Sequence, residues 1–147
     1  MRPLILLLVF IAGAGIPIQS AVNSRLRVEV LSPGLSALIS FIVGALVLII
    51  VNVTGLLGRG RIPNFAHVPW WAWTGGIYGA LVVTAAIVGV PKIGTAGVVG
   101  GMVAGQLVAS ILVDQLGAFG VPRFPINVPR AAGAVMLLVG TLLIMRK

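Results

Sequence analysis

Apolar residues run along this chain in five long blocks, separated by short stretches of Pro, Gly and basic residues. A helix needs about 20 mostly apolar residues to cross a bilayer. The blocks predict helices over 3–24, 35–57, 70–90, 93–116 and 130–145. The first is expected to end at Arg25, and Ser32-Pro33-Gly34 reads as a turn. Gly58-Arg59-Gly60-Arg61 with Pro63 marks the second break. Pro91-Lys92 leaves room only for a tight turn between the third and fourth helices. The stretch from Gly117 to Pro129 holds three prolines and no helical period, and is expected to be the longest loop. Met1-Arg2 followed by Leu4 to Ala12 imitates a signal peptide, but the segment is read as the start of helix 1. The expected fold is all-α, a single five-helix transmembrane domain over residues 1–147.

Composition agrees with this pattern. Of the 147 residues, 59% are hydrophobic and 8% charged, more apolar surface than a soluble domain of this size could hide. The net charge of +8 would point to nucleic acid in a soluble chain. Here the basic residues sit at the ends of apolar runs, where they meet lipid headgroups, and no nucleic-acid motif accompanies them. The chain has no Cys, which excludes disulfides and thiol chemistry. One His and two acidic residues argue against a metal site or a catalytic triad. No enzymatic activity, metal or other cofactor is expected.

Five helices put the termini on opposite sides. Arg2, Arg59, Arg61, Arg123 and Arg130 then share one side, and Arg25, Arg27, Lys92, Arg146 and Lys147 the other. The tally is five against five. Lys/Arg bias normally decides orientation, so a chain without bias is expected to insert both ways. Two opposite insertions can pair as an antiparallel homodimer of ten helices with inverted two-fold symmetry, the plan of many secondary transporters. The sequence has no internal repeat, so a second copy must supply it.

Polar residues inside the blocks are the candidates for chemistry. Gln19 and Asn23 share one face of helix 1, just after Pro17, which removes a backbone donor. Gln106, Ser110 and Asp114 repeat the spacing on helix 4, with Gln106 near the helix midpoint. These groups either glue helices together or line a polar cavity with Ser40; the proline beside the stripe favours the cavity. Trp70, Trp71 and Trp73 read as an interfacial anchor, or, for Trp73, as the wall of a substrate pocket. Gly97, Gly101 and Gly105 on helix 4, and Gly75 and Gly79 on helix 3, have the spacing of close helix packing. Asp114 near the end of helix 4 is expected to pair structurally with Arg130; a proton-coupling role is the alternative.

Several of these residues fall in motifs that resemble the YdcZ-like proteins, half-size members of the drug/metabolite transporter superfamily. The likeness is carried by Gly15-Ile16-Pro17-Ile18-Gln19 with Asn23, by Ser40-Phe41-Ile42-Val43-Gly44 and by Trp73-Thr74-Gly75-Gly76. Gly105-Gln106, the Asp114…Gly117 pair and the proline-rich run from Gly120 to Arg130 extend it over the whole chain. The resemblance implies a multi-pass, five-helix protein of the bacterial inner membrane, in a family that includes dual-topology singletons. The chain differs from the four-helix small multidrug resistance proteins, whose first helix carries a glutamate; helix 1 here has no acidic residue, and Gln19 is the nearest polar equivalent.

The function expected is secondary transport of a small polar molecule by alternating access. Gln19, Asn23, Ser40 and Gln106 would contact substrate and Trp73 would close the pocket. The partners expected are a second copy, membrane lipids and the transported molecule, with no nucleic acid. Two alternatives share the same helices. A non-transporting membrane subunit or scaffold would consume its polar groups in helix–helix bonds. An amphiphile or lipid flippase would open them sideways to lipid.

Overall fold

A computed structural model describes residues 2–58, 60 and 68–145. Arg59, Arg61, Pro63, Arg146 and Lys147, which enter the predicted second break and the charge tally, lie outside the described residues. The elements are helical throughout: α1 (Arg2–Val30), α2 (Pro33–Thr54), a 3-10 turn (Trp70–Trp73), α3 (Gly75–Leu116), a second 3-10 turn (Ala118–Gly120) and α4 (Val128–Met145). The chain divides into two compact units. One is Ile18–Val88; the other joins Met1–Pro17 to Gly89–Lys147.

Helix α1 does not stop at Arg25 but runs to Val30. Charge alone does not end a helix, and Arg25 pairs with Glu29 across one turn at 2.5 Å. At 29 residues α1 is about 43 Å long, enough to carry its last turns from the hydrocarbon into the headgroup layer. It ends where Leu31 turns to a left-handed φ of 56°. The predicted turn at Ser32-Pro33-Gly34 is already the start of α2. Ser32 caps it, its hydroxyl accepting from Leu35 N at 3.2 Å, and Pro33 sits where its missing N–H has no partner to lose. Gly55, at φ 69°, terminates α2 before the expected Leu57.

The predicted third helix begins as the 3-10 turn at Trp70–Trp73, where the Thr74 N–H donates to Trp71 O at 3.1 Å and the Thr74 hydroxyl donates to it at 2.7 Å. The α-helix proper starts at Gly75. Helix α3 has 42 residues, which as one straight helix would span about 63 Å, twice the thickness of a hydrocarbon core. It is broken at Gly94, whose φ of 75° and ψ of 164° are open only to glycine. The break therefore falls at Gly94, not at Pro91-Lys92, since a proline removes a hydrogen bond but keeps a helical φ. A Cβ on Gly89 would lie 2.8 Å from Val98 Cγ2. Nine residues along a straight helix span about 13 Å, so the chain doubles back across Gly94. Helix α4 starts at Val128, two residues before the expected Arg130, because Asn127 caps it by accepting from Arg130 N at 3.0 Å.

Solvation is inverted relative to a soluble protein. Leu4 and Phe10 are 72% and 76% exposed, and they are typical of the long apolar side chains. The buried residues are small or polar: Ser20, Asn23, Ser24, Ser36 and Thr141 beside Ala37, Ala86, Ile87 and Val98. Three helical stretches, Pro3–Val30, Pro33–Thr54 and Trp70–Leu116, are long and apolar enough to cross a membrane, with Val128–Ile144 as a shorter apolar helix. Lipid is the solvent that such a surface requires.

Candidate functional site

In the unit Ile18–Val88, α1 and α2 are joined by only two residues, so they fold back on each other. Ser20, Asn23, Ser24 and Arg27 recur on α1 at i, i+3, i+4 and i+7, the spacing of a single helix face. A core-facing stripe with that spacing is ordinarily apolar; here it is polar. Ser36 on α2 is fully buried and its hydroxyl donates to the Asn23 carbonyl at 2.7 Å. Asn23 Nδ2 in turn donates to Ser40 Oγ at 3.1 Å. Among the described residues no buried side-chain nitrogen or oxygen lacks a partner. In lipid, each such interhelical bond contributes about 0.6–2 kcal/mol.

One turn before Asn23, Gln19 opens onto a cavity of about 290 Å³, lined with it by Ser40, Phe41, Gly44, Ala45 and Leu48. Phe41 also reaches Gly79, where a Cβ would meet Phe41 Cζ at 3.3 Å. Any larger residue at 79 would push that ring. The structure thus brings Gln19, Asn23 and Ser40 together. Gln106 belongs to the other unit and is exposed in the single chain. Trp73 sits on the 3-10 turn and is also exposed.

Arg27 and Ser36 do not stand out as site residues in the sequence, yet both organise this site. Arg27 Nη1 donates to the Ile87 carbonyl at 3.3 Å. That carbonyl would normally accept from residue 91, which is Pro91 and has no N–H. The guanidinium fills the gap. A proline within a helix is the signal that a donor for the carbonyl four residues back must come from elsewhere.

In the second unit, Asp114 and Arg130 are joined by a hydrogen-bonded ion pair, Nη2 donating to Oδ2. Arg130 also donates to the Phe124 carbonyl at 2.6 Å, and Phe124 N donates to Asp114 O at 2.9 Å. Gln115 Oε1 accepts from Ile126 N at 2.8 Å, while Arg123 Nε donates to Gln115 O at 2.7 Å. The proline-rich loop is therefore clasped to the end of α3 rather than left loose. Its three prolines hide this in the sequence, because backbone partners replace the missing helical period.

The glycines divide. A Cβ on Gly100 would lie 3.1 Å from Thr141 Cγ2, and one on Gly97 3.5 Å from Ile93. Gly75, Gly101 and Gly105 have nothing within 4 Å. A larger, mostly apolar cleft of about 550 Å³ lies in this unit, lined in part by Pro17, Thr95, Val99, Gly100, Leu137 and Thr141. Among the described residues no group of His, Cys, Asp or Glu could hold a metal ion.

An apolar exterior, buried polar groups that are all partnered and helices long enough to cross a bilayer define a multi-pass membrane protein. The family DMT_YdcZ, "Putative inner membrane exporter, YdcZ", matches residues 4–143, and the chain belongs to it. Over 148 residues the chain is 30% identical to "Inner membrane protein YdcZ" of Escherichia coli (strain K12), covering 97% of this chain and 96% of that protein. No solved structure matches. The protein is accordingly a multi-pass protein of the inner membrane.

Proposed function

We propose that the protein is a secondary transporter that exports a small polar molecule by alternating access, as an antiparallel homodimer of five-span chains. The family's description as an exporter supports the direction. The observation that carries the mechanism is Gln106. It lies near the middle of the helical stretch 95–116, which would set it near the bilayer centre if that stretch spans, and it is exposed in the single chain. An amide facing lipid there costs several kcal/mol, as for any unsatisfied polar group in hydrocarbon. A second copy covers it. The glycine face beside it, Gly101 and Gly105, has open space of the kind that admits a close partner helix. Gln19 and Gln106 of both copies would then surround one site on the two-fold axis, with Asn23 and Ser40 behind Gln19 and Trp73 closing the pocket.

The test is a screen of small polar solutes by thermal stabilisation of the purified dimer, followed by flux into liposomes. A solute that stabilises the protein should lose its effect in Gln19→Leu and in Gln106→Leu, while the unliganded protein keeps or gains stability. Lower stability with unchanged binding would make the amides helix glue and favour a scaffold. The amphiphile reading has one observation of its own, the 550 Å³ cleft with its mostly apolar lining. Stabilisation by detergent-like molecules alone, sensitive to Thr141→Leu rather than to the glutamines, would select it.

A further inference from the structure

The chain has two acidic side chains, and both are engaged: Glu29 with Arg25, and Asp114 with Arg130. Arg27 is half-buried, on the same face of α1 as Gln19 and Asn23 and two turns from Gln19. At 1.5 Å per residue the two lie about 12 Å apart along the helix. Its Nη1 is committed to the Ile87 carbonyl. Among the described residues its Nη2 and Nε have no partner. These two form the edge of the guanidinium that grips a carboxylate or phosphate with paired bonds. A cation held half out of water without a counter-charge is unfavourable, and a bound anion relieves it. Glu29 lies two residues away, off the Arg27 face, and is held by Arg25.

We propose that Arg27 is an oxyanion-binding residue, and that its ligand carries a carboxylate or phosphate group. The proposal names the charge of the solute and so rests on the transport reading. The Ile87 carbonyl fixes the guanidinium, and the free edge does the recognising.

Arg27 has a structural duty, so the test separates the two roles. Pro91→Ala gives residue 91 an N–H that can bond Ile87 O and frees Arg27 from that duty. In this background Arg27→Gln is expected to keep its fold, checked by its thermal midpoint without added anion. Thermal unfolding in uncharged detergent is followed while phosphate or acetate replaces chloride at constant ionic strength. The wild-type protein and P91A should both show saturable stabilisation. The R27Q/P91A double variant should bind at least about tenfold more weakly, and R27K/P91A should fall between, because lysine lacks the paired edge. A parallel titration with phosphatidylglycerol in mixed micelles identifies the source. Arg27-dependent stabilisation by the lipid and not by free anions assigns the site to a headgroup; the reverse assigns it to a soluble solute. Equal binding by P91A and R27Q/P91A, or no response of the wild-type protein to any of the three probes, overturns the proposal. Because the readout is binding, its failure leaves transport standing, and failure of the glutamine tests leaves the oxyanion site standing.

Discussion

Ser36 is completely buried in a chain whose leucines face outward, and its hydroxyl donates to the Asn23 carbonyl. Ser36→Ala keeps the volume and removes the donor. It should cost about 1 kcal/mol in thermal or denaturant unfolding, the net worth of one neutral hydrogen bond. Ser36→Leu should cost more, about 1–3 kcal/mol, by overpacking a helix contact with no free space. The Asp114–Arg130 pair is partly shielded, at 25% and 34% side-chain exposure. Asp114→Asn should therefore destabilise by about 1–3 kcal/mol, as for a hydrogen bond to a charged group. Arg130→Gln should be worse, because it also releases the Phe124 carbonyl. If Asp114→Asn instead abolishes the pH dependence of flux and leaves stability intact, the carboxylate is a coupling group.

Helices are the most legible part of the sequence. Long apolar blocks leave little choice of element, and the third-to-fourth junction falls within a few residues of its predicted place. Less legible is the local chemistry that stops each helix. Arg25 and Arg27 look like a terminus but lie inside α1, because an Arg–Glu pair across one turn continues a helix. Pro91 looks like a break, but Arg27 substitutes for the donor it lacks and Gly94 makes the turn. Gly94→Ala should therefore destabilise by about 1–3 kcal/mol through backbone strain alone, although a Cβ there would meet nothing within 4 Å. Pro91→Ala should cost less. The glycines of α3 offer a sharper contrast. Gly100→Leu drives a side chain into Thr141 and should lower the thermal midpoint of the monomer. Gly101→Leu has open space in the chain, so its expected effect is on dimerisation, read by cross-linking or analytical ultracentrifugation in detergent. A dimer that survives Gly101→Leu unchanged would mean that this face looks at lipid.

At the scale of the whole molecule, the polar seam is half legible. Gln19 and Asn23 stand out because amides are rare in apolar blocks, and Ser40 joins them through its bond to Asn23. Ser20, Ser24 and Ser36 do not stand out, since serine is common in membrane helices and only the fold reveals which ones are covered. Orientation is the property the sequence addresses most directly. A cysteine placed at Gly60 can be read cleanly, because the chain has no other. An impermeant reagent on intact cells should label about half the molecules if insertion is unbiased. Labelling of all or of none would remove the antiparallel homodimer. Two or three lysines added to one side should fix one orientation and abolish activity, and co-expression with an oppositely biased variant should restore it.

The reversal at Gly94 has a consequence for biogenesis. Almost no hydrophilic chain separates the two halves of α3, so there is little for the insertion machinery to carry across between them. If both halves cross the bilayer, such a pair would enter it as one hairpin, its inner backbone already bonded. Lys92 is the single basic residue near its tip. Turning the hairpin over therefore means relocating one cation. Such a hairpin would be close to indifferent about which way it faces, leaving orientation to the basic residues elsewhere in the chain.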